Sequence, residues 1–306
     1  MPGSDSSADK KSFLIGVGSQ RAGSTLLFKI LARSAQGLFM HPIKELHYFD
    51  TLFKIRPARA LKDYSHHRLD LLQNKHGAIE GQERISSFSK SVQCEIRANR
   101  LLANAKVEEL DYIDLFRPCV MHYQWLGEVT PEYMLMNSDQ LVYLRDQLGP
   151  KIYCVMVIRN PLKRFLSAFK LRHAYMKPAG EEPPSNECLL EDLKLNLVNN
   201  DGWLRCQMRF NQYAEAIDRF RNVFGENFLF FSLDEVVSNV QGVIGSVSMS
   251  TGLNFDIDLA KRVVSKKINE TGVNLSLDDD TLGLCSDFFG PSIQAANSLV
   301  DHPLKL

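Results

Sequence analysis

The stretch FLIGVGSQRAGSTLLFKIL, residues 13–31, joins a short apolar run to a turn of glycine and serine and then to apolar residues at helical spacing. This order is typical of a buried strand, a loop and a helix in a nucleotide-binding protein. Gly18, Gly23 and Thr25 nearly match the phosphate-binding pattern G-x-x-x-x-G-K-[ST], but Ser24 stands where that pattern has lysine. The stretch therefore predicts a phosphate loop that lacks its usual cation.

Such a loop still predicts an anion site. A glycine-rich turn before a helix points backbone N–H groups and the positive end of the helix dipole at one spot. Triphosphate chemistry needs the loop lysine and magnesium, so the serine argues against a kinase or ATPase. The cation within the loop is Arg21, whose guanidinium can bind two anionic oxygens. The alternative is a turn whose glycines only permit the chain to reverse.

The same alternation of apolar strand and amphipathic helix recurs along the chain. Residues 152–158 and 227–233 are apolar runs of strand length, and residues 38–40 and 120–126 are shorter candidates. Strands that alternate with helices form parallel sheets covered on both faces. We therefore expect an α/β fold with a central parallel sheet of about five strands, flanked by helices around a P-loop-like core. Its ligands should lie at the carboxyl ends of the strands.

Composition limits the partners that the protein can have. The 306 residues contain 36 basic and 36 acidic side chains, so no overall charge favours nucleic acid or an anionic membrane. No segment approaches the roughly 18 apolar residues of a membrane span. The six cysteines are widely spread, and no His/Cys spacing indicates a metal site. We expect a cytoplasmic protein without metal, nucleic acid or membrane partners, with one domain at residues 12–306 behind a disordered tail at residues 1–11; the oligomeric state stays open.

A second motif, VIRNPLKRFLSAF, follows the predicted strand at 152–158. It places Arg159 at the strand's carboxyl end and Ser167 eight residues later, in the helix that follows Pro161. An arginine at this edge of an α/β sheet can meet the anion of the first loop, and the serine hydroxyl can donate to it. The alternative is a solvated arginine beside a capped helix.

Together the two motifs resemble the sulfotransferases that use 3′-phosphoadenosine-5′-phosphosulfate (PAPS). QRAGST is similar to the family's Q-K-x-G-T-[ST] loop for the 5′-phosphosulfate, and Arg159 with Ser167 matches the pair that holds the 3′-phosphate. PIKELHYFD, GEVTPEYM and FFGPSIQAANSLV resemble three further family segments in the same order. SKKINETGVN, residues 265–274, resembles the loop that closes over the nucleotide, although a solvated basic loop is the alternative. The resemblance implies that PAPS is the co-substrate and that its binding residues are Gln20, Arg21, Ala22, Gly23, Ser24, Thr25, Arg159, Ser167, Lys266, Lys267 and Asn269.

The resemblance also implies catalytic residues. Glu45 matches the family's catalytic glutamate and is the expected base; Arg21 would follow the charge that grows on the leaving oxygen. His47 would share the proton transfer or orient Glu45, unless it is only a hydrogen-bonded loop residue, and Glu45 itself could be a solvated charge. Val129 stands where the family motif has lysine, so that role is vacant or has moved to Lys44.

The expected function is transfer of a sulfuryl group from PAPS, in line, to a hydroxyl or to an amine or guanidinium nitrogen of a small molecule such as a natural product, an alkaloid toxin or a sugar. The alternatives are a kinase with a degenerate P-loop and a nucleotide-binding module that has lost catalysis; Val129 favours the latter. Fold and donor motifs do not select the acceptor. Its pocket is expected along residues 46–56, 85–96 and 176–187.

Overall fold

The structure, a computed structural model, describes residues 11–77, 85–177, 180–266 and 272–305. One five-stranded sheet crosses it, with strand order β2-β3-β1-β4-β5 and every pair parallel. This confirms the predicted α/β class and strand number. The strands are β1 (Ser12–Gly18), β2 (Leu38–Met40), β3 (Trp125–Val129), β4 (Ile152–Ile158) and β5 (Phe228–Ser232).

Helices cover both faces of this sheet. Among those in the described part of the chain, none combines the length and the apolar character that a bilayer crossing requires. The helices are α1 (Ser24–Ser34), α2 (Tyr48–Leu52), α3 (Ala58–His76), α4 (Lys90–Asn104), α5 (Ser138–Leu148), α6 (Pro161–Met176), α7 (Asn186–Asn199), α8 (Gly202–Arg209), α9 (Tyr213–Phe224), α10 (Leu233–Ser238), α11 (Val240–Thr251), α12 (Ile257–Val264) and α13 (Asp279–Asn297).

The central strand sends alternate side chains to the two faces. Phe13, Ile15 and Val17 of β1 join a cluster that includes buried residues of α2, α4, α5 and α9. Leu14 points the other way, into a cluster formed with α1, α11 and α12. Each apolar side chain of β1 is therefore buried, as expected for a strand at the centre of a covered parallel sheet.

Strand order fixes where a ligand can bind. The chain leaves β1 towards β2 on one side of the sheet, and β4 then pairs with the opposite edge of β1. The connections therefore diverge around the carboxyl end of β1, between β3 and β4. Such a switch point opens a crevice at the sheet edge. The loop at residues 19–23 lies there.

One predicted boundary was wrong. The strand expected at 120–126 begins only at Trp125, because Val120 lies in a short 3₁₀ turn at Cys119–Met121 that buries it in the core. Asn211 lies between α8 and α9 and accepts a hydrogen bond from the buried Arg164. Of the tail expected at 1–11, residues 1–10 lie outside the described part.

Candidate active site

The loop between β1 and α1 has a backbone that suits an anion. Gly23 has a φ of 104°, and Arg21, with a φ of 65°, is also left-handed. A Cβ at Gly23 would lie 2.7 Å from Cδ1 of Leu233, so a side chain at this position would be both strained and crowded. The N-cap residue of α1 is Gly23, which has no side chain to cap the helix. Its first N–H groups and the helix dipole are thus directed at the crevice.

The two sequence motifs meet in this crevice. The Nε of Arg21 donates to Oγ of Ser167 at 3.1 Å, and Nη1 of Arg159 donates to the carbonyl oxygen of Arg21 at 3.3 Å. Burial lowers the pKa of both arginines, and the charge of Arg21 lowers the pKa of Arg159 further. Across the described residues, neither guanidinium forms an ion pair. Two adjacent cations without a carboxylate partner call for an anionic ligand.

A cavity of about 950 Å³ extends from this loop. We call the part of its lining that the loop, one face of α6 and Lys266 form the donor end. Three further cations belong to it: Lys163 and Lys170 from α6, and Lys266. Lys163, Ser167 and Lys170 recur at helical spacing, which is visible in the sequence.

A lysine does reach the loop, although it comes from outside it. Nζ of Lys44 donates to Oγ of Ser24 at 3.1 Å and also pairs with the carboxylate of Glu45. The carbonyl of Lys44 accepts a hydrogen bond from the N–H of Val129 at 2.9 Å. The Val129 side chain is buried over Gly16, where a Cβ would meet it at 2.6 Å. The backbone hydrogen bond between Val129 and Lys44 and the contact of the Lys44 ammonium group with Ser24 support the hypothesis that Lys44 takes the role of the lysine missing at position 129.

Glu45, His47 and Asp50 form a chain of charged groups beside Lys44. Nε2 of His47 lies 3.4 Å from Oε2 of Glu45, and Nδ1 lies 2.7 Å from Oδ2 of Asp50. Burial alone would lower the pKa of His47, but the hydrogen bonds to Asp50 and Glu45 raise it to about 10. Burial raises the pKa of Glu45, whereas His47 and Lys44 together lower it to about 2. The two pKa shifts favour a protonated His47 beside an ionised Glu45.

The buried carboxylate of Glu128 holds the backbone of the segment at residues 45–47 through a hydrogen bond. Its Oε2 accepts a hydrogen bond from the backbone N–H of Leu46 at 3.0 Å and one from the hydroxyl of Thr130. Its Oε1 accepts from the hydroxyls of Tyr112 at 3.0 Å and Tyr133 at 2.7 Å. Burial raises the pKa of Glu128, opposed by these four donors. Because Leu46 lies between Glu45 and His47, Glu128 positions both.

Glu132 was missed by sequence reasoning. Its Oε1 accepts from Nε2 of Gln20 at 3.3 Å, while its buried Oε2 has no hydrogen-bond partner among the described residues and lies 4.0 Å from Nδ1 of His47. Burial raises its pKa. Ligand atoms of Glu45, His47 and Glu132 lie within 4.8 Å of one another, a spacing that could suit a metal ion. His47 also lies within ion-pair distance of both carboxylates, and Lys44 pairs with Glu45.

Comparison with known proteins bears on the fold. No family model matches the sequence, and no curated protein matches it. A sulfotransferase from Alicyclobacillus acidocaldarius is 16% identical and superposes with a TM-score of 0.56 over 97% of each chain. The chain has the sulfotransferase fold. The resemblance noted in the sequence is thus confirmed at the level of fold.

Two other solved structures are more distant. The sulfotransferase domain from the curacin biosynthetic pathway is 14% identical, with a TM-score of 0.47 over 96% of this chain and 93% of that one. Mouse sulfotransferase SULT7A1, complexed with PAP, is 10% identical, with a TM-score of 0.42 over 96% and 89%. Both TM-scores are below 0.5, so neither of these two likenesses adds to the assignment of the fold.

Within the sulfotransferase fold of this chain, most predicted site residues come together. Ala22 does not line the cavity: it is fully buried, and its N–H donates to the carbonyl of Ser19, so it offers the anion nothing. Lys267 and Asn269 lie outside the described residues. Those that line the cavity are Gln20, Arg21, Gly23, Ser24, Thr25, Glu45, His47, Arg159, Ser167 and Lys266.

Proposed function

We propose that the protein is an enzyme that transfers a sulfuryl group from PAPS to a small-molecule acceptor. The observation that carries this proposal is the donor end of the cavity. Five cations, Arg21, Arg159, Lys163, Lys170 and Lys266, line it around a helix N-terminus, and none forms an ion pair with a described residue. A ligand with several negative charges fits such a site, and the loop has no lysine of its own for a γ-phosphate.

The residues fit the charge pattern of PAPS. The loop backbone and the start of α1 would hold the 5′-phosphosulfate, and Arg159 with Ser167 would hold the 3′-phosphate. The unpaired guanidinium groups supply the charge that this assignment needs. When bound, PAPS supplies an activated sulfuryl group. Side chains of the cavity supply the base and the positive charges that the transfer requires.

Four of those side chains have assignable tasks. Arg21 and Lys44, which both line the cavity, stabilise the negative charge that develops on the leaving oxygen. Glu45 removes the acceptor's proton, and His47 holds its carboxylate in place. Lys44 lowers the pKa of Glu45; an anion at the loop gives the ammonium group a second partner. Drawing Lys44 towards that anion removes one of the two groups that lower the pKa of Glu45, the other being His47.

A kinase is less compatible with this site. Magnesium in P-loop kinases is held by a carboxylate at a strand end. Glu128 is the carboxylate on β3, but it is buried and occupied by four hydrogen-bond donors. A binding module without catalysis would need neither Glu45 nor the contacts that orient it.

Calorimetric titration distinguishes a sulfotransferase from a kinase. We expect adenosine 3′,5′-bisphosphate to bind equally well with and without magnesium, and ATP to bind more weakly under both conditions. Magnesium-dependent binding of ATP with no binding of the bisphosphate would instead favour the kinase.

A further inference from the structure

Arg56, in the segment before α3, lines the cavity and forms no ion pair with a described residue. Its backbone N–H donates to the carbonyl of Asp50 at 3.1 Å, and the carboxylate of Asp50 forms a hydrogen bond with His47. The side chain lines the cavity, and its buried Nε has no hydrogen-bond partner among the described residues. Leaving a buried donor unsatisfied costs about 1–3 kcal/mol, so this arrangement is suited to a ligand that accepts the bond.

Arg68 of α3 differs from Arg56 in having a carboxylate partner. Arg68 forms an ion pair with Glu95. Arg56 has no such carboxylate in the described ranges, although Glu45 and Glu132 line the same cavity. Glu95 thus neutralises Arg68 within the protein, whereas the charge of Arg56 is available to a ligand in the cavity.

Arg56 and Tyr64 line the cavity together with Glu45, and they come from the segment before α3 and from α3, not from the loop and α6 of the donor end. Hydrogen bonds connect Arg56 to the presumed base: its N–H bonds to Asp50, the carboxylate of Asp50 bonds to His47, and Nε2 of His47 lies 3.4 Å from Oε2 of Glu45. Tyr64 and Arg56 therefore stand on the side of the base that the donor elements do not form.

From this placement, and resting on the proposed function, we infer that the acceptor is a hydroxy acid whose carboxylate binds Arg56 while its hydroxyl faces Glu45. A single guanidinium neutralises one charge, and its planar fork matches a carboxylate. Glu45 and Glu132 on the same wall repel an acceptor with a larger negative charge. The acceptor class is thus a singly charged organic acid of a size that spans from Arg56 to Glu45.

The test uses pairs of hydroxy acids and their neutral amides: 4-hydroxybenzoate, salicylate, 4-hydroxyphenylacetate and lactate, each with its amide. Binding is measured by calorimetry on protein saturated with adenosine 3′,5′-bisphosphate, so that it does not depend on turnover. Arg56→Gln removes the charge, Arg56→Lys keeps it, and Arg59→Gln is the matched control. Arg59 is an exposed arginine three residues away, paired with Asp63.

We expect at least one acid to bind roughly ten- to a hundredfold more tightly than its amide. This preference should vanish in Arg56→Gln, persist in part in Arg56→Lys and be unchanged in Arg59→Gln. The inference is overturned if no acid is preferred, or if the preference survives Arg56→Gln. It is also overturned if Arg56→Gln weakens the bisphosphate instead, because Arg56 would then belong to the donor end. Failure of the wild type to bind the bisphosphate would refute the proposed function itself.

Discussion

The protonated His47 makes the stability of the fold depend on pH in a way that can be measured. Its pKa is raised from 6.5 to about 10, because Asp50 and Glu45 outweigh the effect of burial. A group whose pKa is higher in the folded state stabilises the fold fully below its ordinary pKa and loses that stabilisation as the pH rises towards the folded value. The relevant window is therefore pH 6.5 to about 10.

Within this window, each pH unit is worth about 1.4 kcal/mol for one proton. Raising the pH from about 7 to about 9 should lower the wild-type free energy of unfolding by about 2–3 kcal/mol relative to His47→Asn, which lacks this proton. The assay is urea unfolding at several pH values, with the difference between the two proteins plotted against pH. The control His66→Asn removes an exposed histidine of α3 and should keep the wild-type slope.

A flat difference between wild type and His47→Asn would show that the imidazole is neutral near pH 7. His47 would then be available as a base, and the assignment of that role to Glu45 would lose its main support.

Three further predictions concern the donor end and the base. Arg159→Ala should weaken binding of adenosine 3′,5′-bisphosphate by about 1.5–3 kcal/mol and adenosine 5′-phosphate far less, by calorimetry, since only the former has a 3′-phosphate; equal weakening would contradict this contact. Arg21→Ala should lower turnover more than it weakens donor binding, with partial recovery in Arg21→Lys; a defect in affinity alone would reduce Arg21 to an anchor. Glu45→Gln should fold, bind the bisphosphate normally and lose roughly 10²- to 10⁴-fold in turnover; retained turnover would remove Glu45 from the role of base.

Much of the donor end could be predicted from sequence because its signals are local. The strand, loop and helix around Gly23 have a fixed spacing, and Arg159 follows an apolar run of strand length. Both therefore fall at carboxyl ends of parallel strands, which lie at one sheet edge whatever the strand order. Their meeting in the structure follows from that rule.

The acceptor side could not be predicted in the same way, because its contacts join segments far apart in sequence. Glu132 meets Gln20 across 112 residues, and the N–H of Leu46 meets Glu128 across 82. Arg56 fell within the segment expected to line the acceptor pocket, but its lack of a partner depends on where every nearby carboxylate lies. Residues 85–96, also expected there, do not line the cavity in the described structure.

The most direct measurement of the central claim is mass spectrometry of the reaction products. The protein is incubated with PAPS and the panel of hydroxy acids and amides without magnesium, and separately with ATP, magnesium and the same panel, beside Glu45→Gln as the matched control. The proposed function predicts adenosine 3′,5′-bisphosphate and one acceptor that has gained a single sulfuryl group, in equal amounts and lost together in the variant. A wild-type protein that binds the bisphosphate yet sulfates no member of the panel, while it moves the γ-phosphate of ATP to one of them, would contradict it.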